Sequence, residues 1–209
     1  MAELHYTDDD AANHLIATDP LALLIGFVLD QQVTVQKAFS GPMELRQRLG
    51  SLDAARIASM PADRLAAAFA ERPALHRFPG SMAKRVQALA QAITDDYAGD
   101  AARIWTTASD AAELERRIAG LPGFGGMKVK SLLAVLHKRL GVDLPGMDDA
   151  LPSYPTLGDV DSTDALEAYQ AKKRAYKAAL RESGDKFEPW ADAKEAAAYA
   201  GKGSSKRRG

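Results

Sequence analysis

The chain has 209 residues, 46% of them apolar, enough to bury a sizeable core without covalent staples. It contains no cysteine, which excludes disulfides, thiolate zinc sites, cysteine nucleophiles and cysteine-ligated iron–sulphur clusters. With 27 basic and 28 acidic residues the net charge is −1, so affinity for a polyanion must come from a local arrangement of residues.

The opening MAELHYTDDDAANHL lacks a basic stretch followed by an apolar one, and the longest apolar run, 20–29, is too short to span a bilayer. A cytoplasmic protein that avoids membranes is expected. Thr7-Asp8-Asp9-Asp10 supplies side-chain oxygens and negative charge for a first helical turn, predicting a short helix to about Ala17. Asp19-Pro20 then opens a helix whose Leu21, Leu23, Leu24, Ile25, Phe27, Val28 and Leu29 cover nearly the whole circumference, the mark of a central core helix. Further helices are predicted over 42–49, 61–70 and 81–97, the first two opened by prolines, which a first turn tolerates. Asp110, with Glu113 three positions on, predicts a capped helix ending at Ala119-Gly120. The turn LPGFGG and a helix over 127–140, stopped by Gly141, come next.

The Pro-, Gly- and Asp-rich stretch 142–161 reads as a long loop with one short helical turn, and a charged helix is predicted over 164–181. No alternating run reads as a strand, so the fold class is all-α. Two lobes are expected: a six-helix lobe over 20–140, and a second helical lobe from 1–19 plus 141–200. Residues 201–209 form a basic tail expected to be disordered.

The segment Leu121-Pro122-Gly123-Phe124-Gly125-Gly126-Met127-Lys128-Val129-Lys130 is the most informative. Glycines on either side of Phe124 permit a tight corner, with Leu121 and Phe124 free to plug into the flanking helices. Without side chains at the glycines, a phosphate can approach the amides of the next helix, whose dipole favours an anion. Lys128, Lys130, Lys138 and Arg139 add positive charge on that helix. As an isolated motif, the same turn also serves simply to join two packed helices.

This stretch, with LLDQQ in the related pattern near residue 30, resembles the helix-hairpin-helix DNA glycosylase superfamily, in particular a cysteine-free branch, over roughly residues 19–148. The resemblance implies a two-lobed helical glycosylase fold and a hairpin, Leu121 to Gly126, that binds the DNA backbone together with Lys128 and Lys130. Backbone carbonyls at Leu121 or Gly123 would hold a monovalent cation. By position it makes Gln32 the residue that enters the duplex where a base has been flipped out, an amide being able to donate to and accept from the orphaned partner; Gln31 and Gln32 otherwise only end a helix in solvent. The partner implied is double-stranded DNA carrying a lesion, met by a monomer. Arg77, Lys84 and Arg85 offer further phosphate contacts, and Trp105, Tyr154 and Trp190 offer aromatic surface for a base.

Cleavage of a base from deoxyribose develops positive charge on the sugar, so one carboxylate is required near the flipped nucleotide. By family position it falls on Asp148, with Asp149 and Asp143 as the alternatives; the threonine or serine and histidine usual after it are replaced here by Asp149-Ala150. The lysine that gives bifunctional relatives their lyase activity corresponds to Met127, and Lys128 lies one residue on, about 100° around an ideal helix. A monofunctional hydrolase is expected, with two alternatives: an inactive protein of the same shape that binds damaged or bent DNA, and a helical interaction module.

Overall fold

The computed structural model describes residues 3–183. Within them lie eleven α-helices, one 3-10 turn and no strand. Trp190 and the tail 201–209 lie outside the described residues.

Helix α1 (Asp10–Thr18) begins where Asp9 accepts from the amides of Ala11 and Ala12. Asp19 does the same for Leu21 and Ala22 at the start of α2 (Pro20–Leu29), with Pro20 in the first turn. Every residue of α2 from Leu21 to Leu29 is buried. A fully buried large aliphatic or aromatic side chain contributes about 1.5–3 kcal/mol, so this helix organises the core. It packs mainly on α3 (Val35–Leu49) through reciprocal notches: a methyl group on Gly26 would meet the Phe39 ring at 2.5 Å, and one on Gly41 would meet Leu29 Cδ1 at 2.5 Å. Tyr6 and Phe27 meet the same Phe39 ring edge-on, at 5.0 and 5.3 Å between centroids.

Helix α3 starts seven residues before the predicted position. Thr34 caps it by accepting from Lys37, and Pro42 lies inside the helix rather than at its start. Proline's missing N–H leaves one carbonyl without its usual donor, a loss the buried α2–α3 packing outweighs. After α3 come α4 (Ala54–Ala58), α5 (Ala62–Ala70), α6 (Pro79–Tyr97) and the short α7 (Arg103–Thr106); α4 and α7 are single turns too short for a periodicity to reveal. Asp110 caps α8 (Ala111–Ala119) as predicted, and α9 (Gly126–Lys138) follows the hairpin.

The predicted long loop after α9 carries one turn of helix, α10 (Met147–Ala150), and a 3-10 turn, Leu157–Asp159, capped by Thr156. That 3-10 turn lies against the middle of α9. The Tyr6 hydroxyl donates to Leu157 O at 2.7 Å, tying the segment before α1 to it. The last described helix, α11 (Thr163–Ser183), matches the predicted charged helix to within two residues. No single helix among the described residues is long and apolar enough to cross a membrane.

Candidate nucleic-acid interface

The hairpin corner is local chemistry that the tertiary structure leaves open. Leu121 and Phe124 are buried, and Phe124 lies 6.1 Å from Phe27 between ring centroids, seating the turn on α2. Gly123 has φ +90°, a region that disfavours side chains, and a Cβ there would lie 3.3 Å from a Val28 methyl. Gly125 is the N-cap of α9, yet no side chain caps that helix. Among the described residues the amides of Gly125, Gly126 and Met127 donate no hydrogen bond. Nothing lies within 4 Å of where a Cβ of Gly125 or Gly126 would stand. Three unpaired N–H groups therefore lie at the positive end of a thirteen-residue helix, with open space beside Gly125 and Gly126.

The same corner rests against the end of α2, from which the 30–34 turn projects. Gln31 is locked there: its Nε2 donates to Val28 O at 2.8 Å, its Oε1 accepts from Arg85 at 2.5 Å, and its backbone carbonyl bonds His76 at 2.8 Å. Gln32 is the opposite. It is exposed, makes no hydrogen bond among the described residues, and holds a left-handed backbone with φ +57°. Such a conformation costs a side-chain-bearing residue on the order of 1–2 kcal/mol.

His76 joins a second projecting loop to this turn. Its Nδ1 accepts from the Phe78 amide at 3.0 Å, so Nε2 carries the proton and donates to Gln31 O. Phe78 is the large apolar side chain left exposed among the described residues, at 41%, with the Arg77 guanidinium 5.3 Å from its ring centroid. Sequence reasoning misses His76 and Phe78, although HRFPG between two helices is a loop carrying an aromatic that no core pattern requires.

Below these loops lies a charged cluster built from three helices. Lys128, in the first turn of α9, reaches Val28 O at the end of α2 at 3.4 Å. Burial lowers its pKa to about 8; Arg85 and Lys173 push the same way, and the Asp30 carboxylate opposes them. Asp30, the residue after α2, has a side chain only 15% exposed and lies 3.7 Å from Lys173 Nζ on α11. Burial also works against the charge on Lys173, but Asp30 and the Tyr169 hydroxyl outweigh it and hold that amine above its ordinary range. Asp30, Gln31 and Gln32 line a cavity of about 410 Å³ together with Gln170, Lys173 and Arg174 of α11. Its size falls within the range of ligand pockets, roughly 300–1,000 Å³.

The remaining predicted residues lie elsewhere. Lys130 forms an ion pair with Glu115 at 2.7 Å and donates to Ala150 O at 3.1 Å, on the side of α9 facing α8 and α10. Asp148 stands on α10 with its side chain 97% exposed, 3.8 Å from His137 Nε2. His137 lies eleven residues beyond Gly126 on α9, about 16 Å along the helix axis, so Asp148 stands toward the far end of α9 from the hairpin corner. Asp143 reaches the same histidine at 4.0 Å, and Asp149 is exposed on the same turn as Asp148. Trp105 is buried in the core. Tyr154 lines a different cavity, of about 420 Å³, with Lys138, Tyr169 and Lys172. Among the described residues no group of histidines, aspartates and glutamates is placed to hold a metal ion.

Helix α8, a glycine turn and α9 with a bare, unpaired N-terminus make this an all-α helix-hairpin-helix protein. The family model of the HhH-GPD superfamily base excision DNA repair proteins matches residues 25–189, and the chain belongs to that superfamily. Base excision repair implies DNA as the substrate. No curated protein matches the chain, and no solved structure does.

Proposed function

We propose that this protein is a DNA N-glycosylase that releases a damaged base from a duplex, gripping one strand at the 121–126 corner and filling the vacated space with Gln32. The observation that carries this reading is the set of three unpaired amides on an open helix N-terminus, Gly125 to Met127. A hydrogen bond to a charged group contributes roughly 1.5–3 kcal/mol, so a phosphate seated there gains several such contacts at once. Leu121 O accepts one hydrogen bond, from Phe124, and Gly123 O accepts none among the described residues. Both carbonyls thus retain lone pairs for a monovalent cation, which would add positive charge beside the gripped phosphate. Gln32 and Phe78 project from neighbouring loops joined through His76, and this supports a wedge of one amide and one aromatic ring.

The test is product release from duplexes carrying uracil, alkylated purines, oxidised guanine or hypoxanthine. Free base is the expected result with one of them. Tight binding to a lesion duplex without base release would make the protein a recognition factor, and salt-insensitive or absent binding would remove DNA from its function.

Gln32→Gly separates the wedge from the fold. Glycine relieves the left-handed strain, so the thermal midpoint is expected to rise by about 2–4 °C for roughly 1 kcal/mol. Affinity for a lesion duplex is expected to fall about tenfold, the effect of one lost contact of about 1.4 kcal/mol. An unchanged affinity would mean that the side chain never enters the helix.

Lys128 favours a second reading, in which strand cleavage follows base release. With a pKa of about 8, roughly a tenth of its amine is neutral at pH 7, against about one part in three thousand at the ordinary lysine value of 10.5. Its Nζ would condense with the aldehyde of an abasic sugar, expelling water. Borohydride trapping of a covalent complex, absent in Lys128→Met, decides between the two.

A further inference from the structure

One residue of the 30–34 turn is a largely buried carboxylate at the end of a helix that does not favour it, held by cations from elsewhere in the fold. Asp30 follows the last residue of α2, where the helix presents the negative end of its dipole and has no basic residue in its last turn. A carboxylate there is repelled by the helix that carries it. It is also largely withdrawn from water, at 15% exposure, which further penalises its charge. Cations from two other helices act on it: Lys173 of α11 at 3.7 Å, and Lys128 of α9, whose amine feels the Asp30 carboxylate. Tyr169 adds a hydroxyl from α11, hydrogen-bonded to Lys173. Residues that violate local preference and are held in place by costly neighbours concentrate at functional sites.

Position points the same way. Asp30 is two residues from Gln32 and lines the cavity of about 410 Å³ that opens beside it. The end of α2 that bears it is the surface on which the hairpin corner is seated, through Val28, Lys128 and Phe27. Asp148 has none of these features.

Building on the glycosylase reading, we propose that Asp30 is the carboxylate that faces the sugar of the extruded nucleotide, the role that sequence position assigns to Asp148. The C1′–N bond breaks with both electrons leaving on the base, and the cation left on the sugar lies against the Asp30 carboxylate. A water oxygen then bonds C1′ and gives a proton to Asp30, which returns it to the departing base nitrogen. The sum is nucleotide plus water to abasic sugar plus free base, with the carboxylate regenerated. Lys173 pairs with the carboxylate and keeps it aimed into the cavity.

The experiment requires no knowledge of the lesion. Affinity is measured for two duplexes, one carrying a protonated pyrrolidine in place of a nucleotide, which mimics the cationic sugar, and one carrying a neutral tetrahydrofuran at the same position. The expected result is a tenfold or greater preference of the native protein for the pyrrolidine duplex. Asp30→Asn should abolish that preference while leaving tetrahydrofuran affinity within about threefold, and Asp148→Asn should retain it. Asp30→Asn combined with Lys173→Met removes the stranded ammonium and should behave as the single variant does, which guards against a folding defect. A preference that survives in both Asp30 variants, one lost in Asp148→Asn, or a native protein that binds both duplexes equally would overturn the assignment while leaving DNA binding intact. A native protein that binds neither duplex overturns the glycosylase reading and the assignment with it.

Discussion

Gly158→Ala is expected to destabilise the protein by about 3–5 kcal/mol and to lower its thermal midpoint by on the order of 10 °C. A Cβ at this position would lie 2.5 Å from the carbonyl carbon of Ala134 and 2.6 Å from its oxygen, both in the backbone of α9. A flexible side chain could swing aside, but a helix backbone in the core cannot, so the 3-10 turn at 157–159 must move. Moving it strains the bond from Arg139 Nε to Gly158 O at 2.8 Å and the bond from the Tyr6 hydroxyl to Leu157 O at 2.7 Å. It also draws Leu157 and Val160 out of the core. Gly80→Ala is the matched control: it lies in the first turn of α6 with nothing within 4 Å of the new methyl, and should be neutral or stabilising. Thermal or urea unfolding of the two variants checks both statements, and equal midpoints would mean that the turn and α9 are not in such close contact.

Gly125→Glu should have the opposite profile, with little change in unfolding and a loss of duplex affinity of a hundredfold or more. Its backbone, φ −97° and ψ 169°, is open to any residue, and a Cβ there meets nothing within 4 Å. The fold therefore has no reason to resist the change, and a carboxylate at a helix N-terminus is mildly favourable. A phosphate meets a different surface, with bulk in its approach path and negative charge beside the amides of Gly125, Gly126 and Met127. A hundredfold loss corresponds to about 2.7 kcal/mol, within reach of two disrupted charge-assisted hydrogen bonds. Titration of labelled duplex at two salt concentrations is the measurement, and the dependence on salt should flatten as contacts disappear. Affinity retained in this variant would mean that the strand binds somewhere other than the corner.

Elements whose signals lie within a few consecutive residues are legible in the amino-acid sequence alone. Asp19-Pro20, Asp110 and the LPGFGG turn each declare a helix boundary through their own side-chain oxygens, fixed φ or missing Cβ, and the helices lie where those signals put them. Pro42 misleads because a local rule competes with packing: the burial of α3 against α2 carries the proline inside a helix that Thr34 opens earlier. Gln31 and Gln32 are indistinguishable as adjacent amides in a sequence. The fold separates them because Arg85 and His76, more than forty residues away, hold one and leave the other free.

By itself the sequence determined the all-α class, the absence of thiol chemistry and the glycine corner with its bare helix N-terminus. Each follows from backbone freedom, capping or composition, properties that act over one turn of chain. Only the tertiary structure decided which charges meet. Asp30, Lys128 and Lys173 come from the ends or faces of three helices; in sequence Lys173 looks like any other solvated cation, and Lys128 is marked only by its place beside the hairpin. What changes them is the water removed when α2, α9 and α11 converge, an energy that depends on neighbours no local pattern identifies. The same convergence buries Asp30 beside a cavity while leaving Asp148, the residue that position alone favours, in solvent.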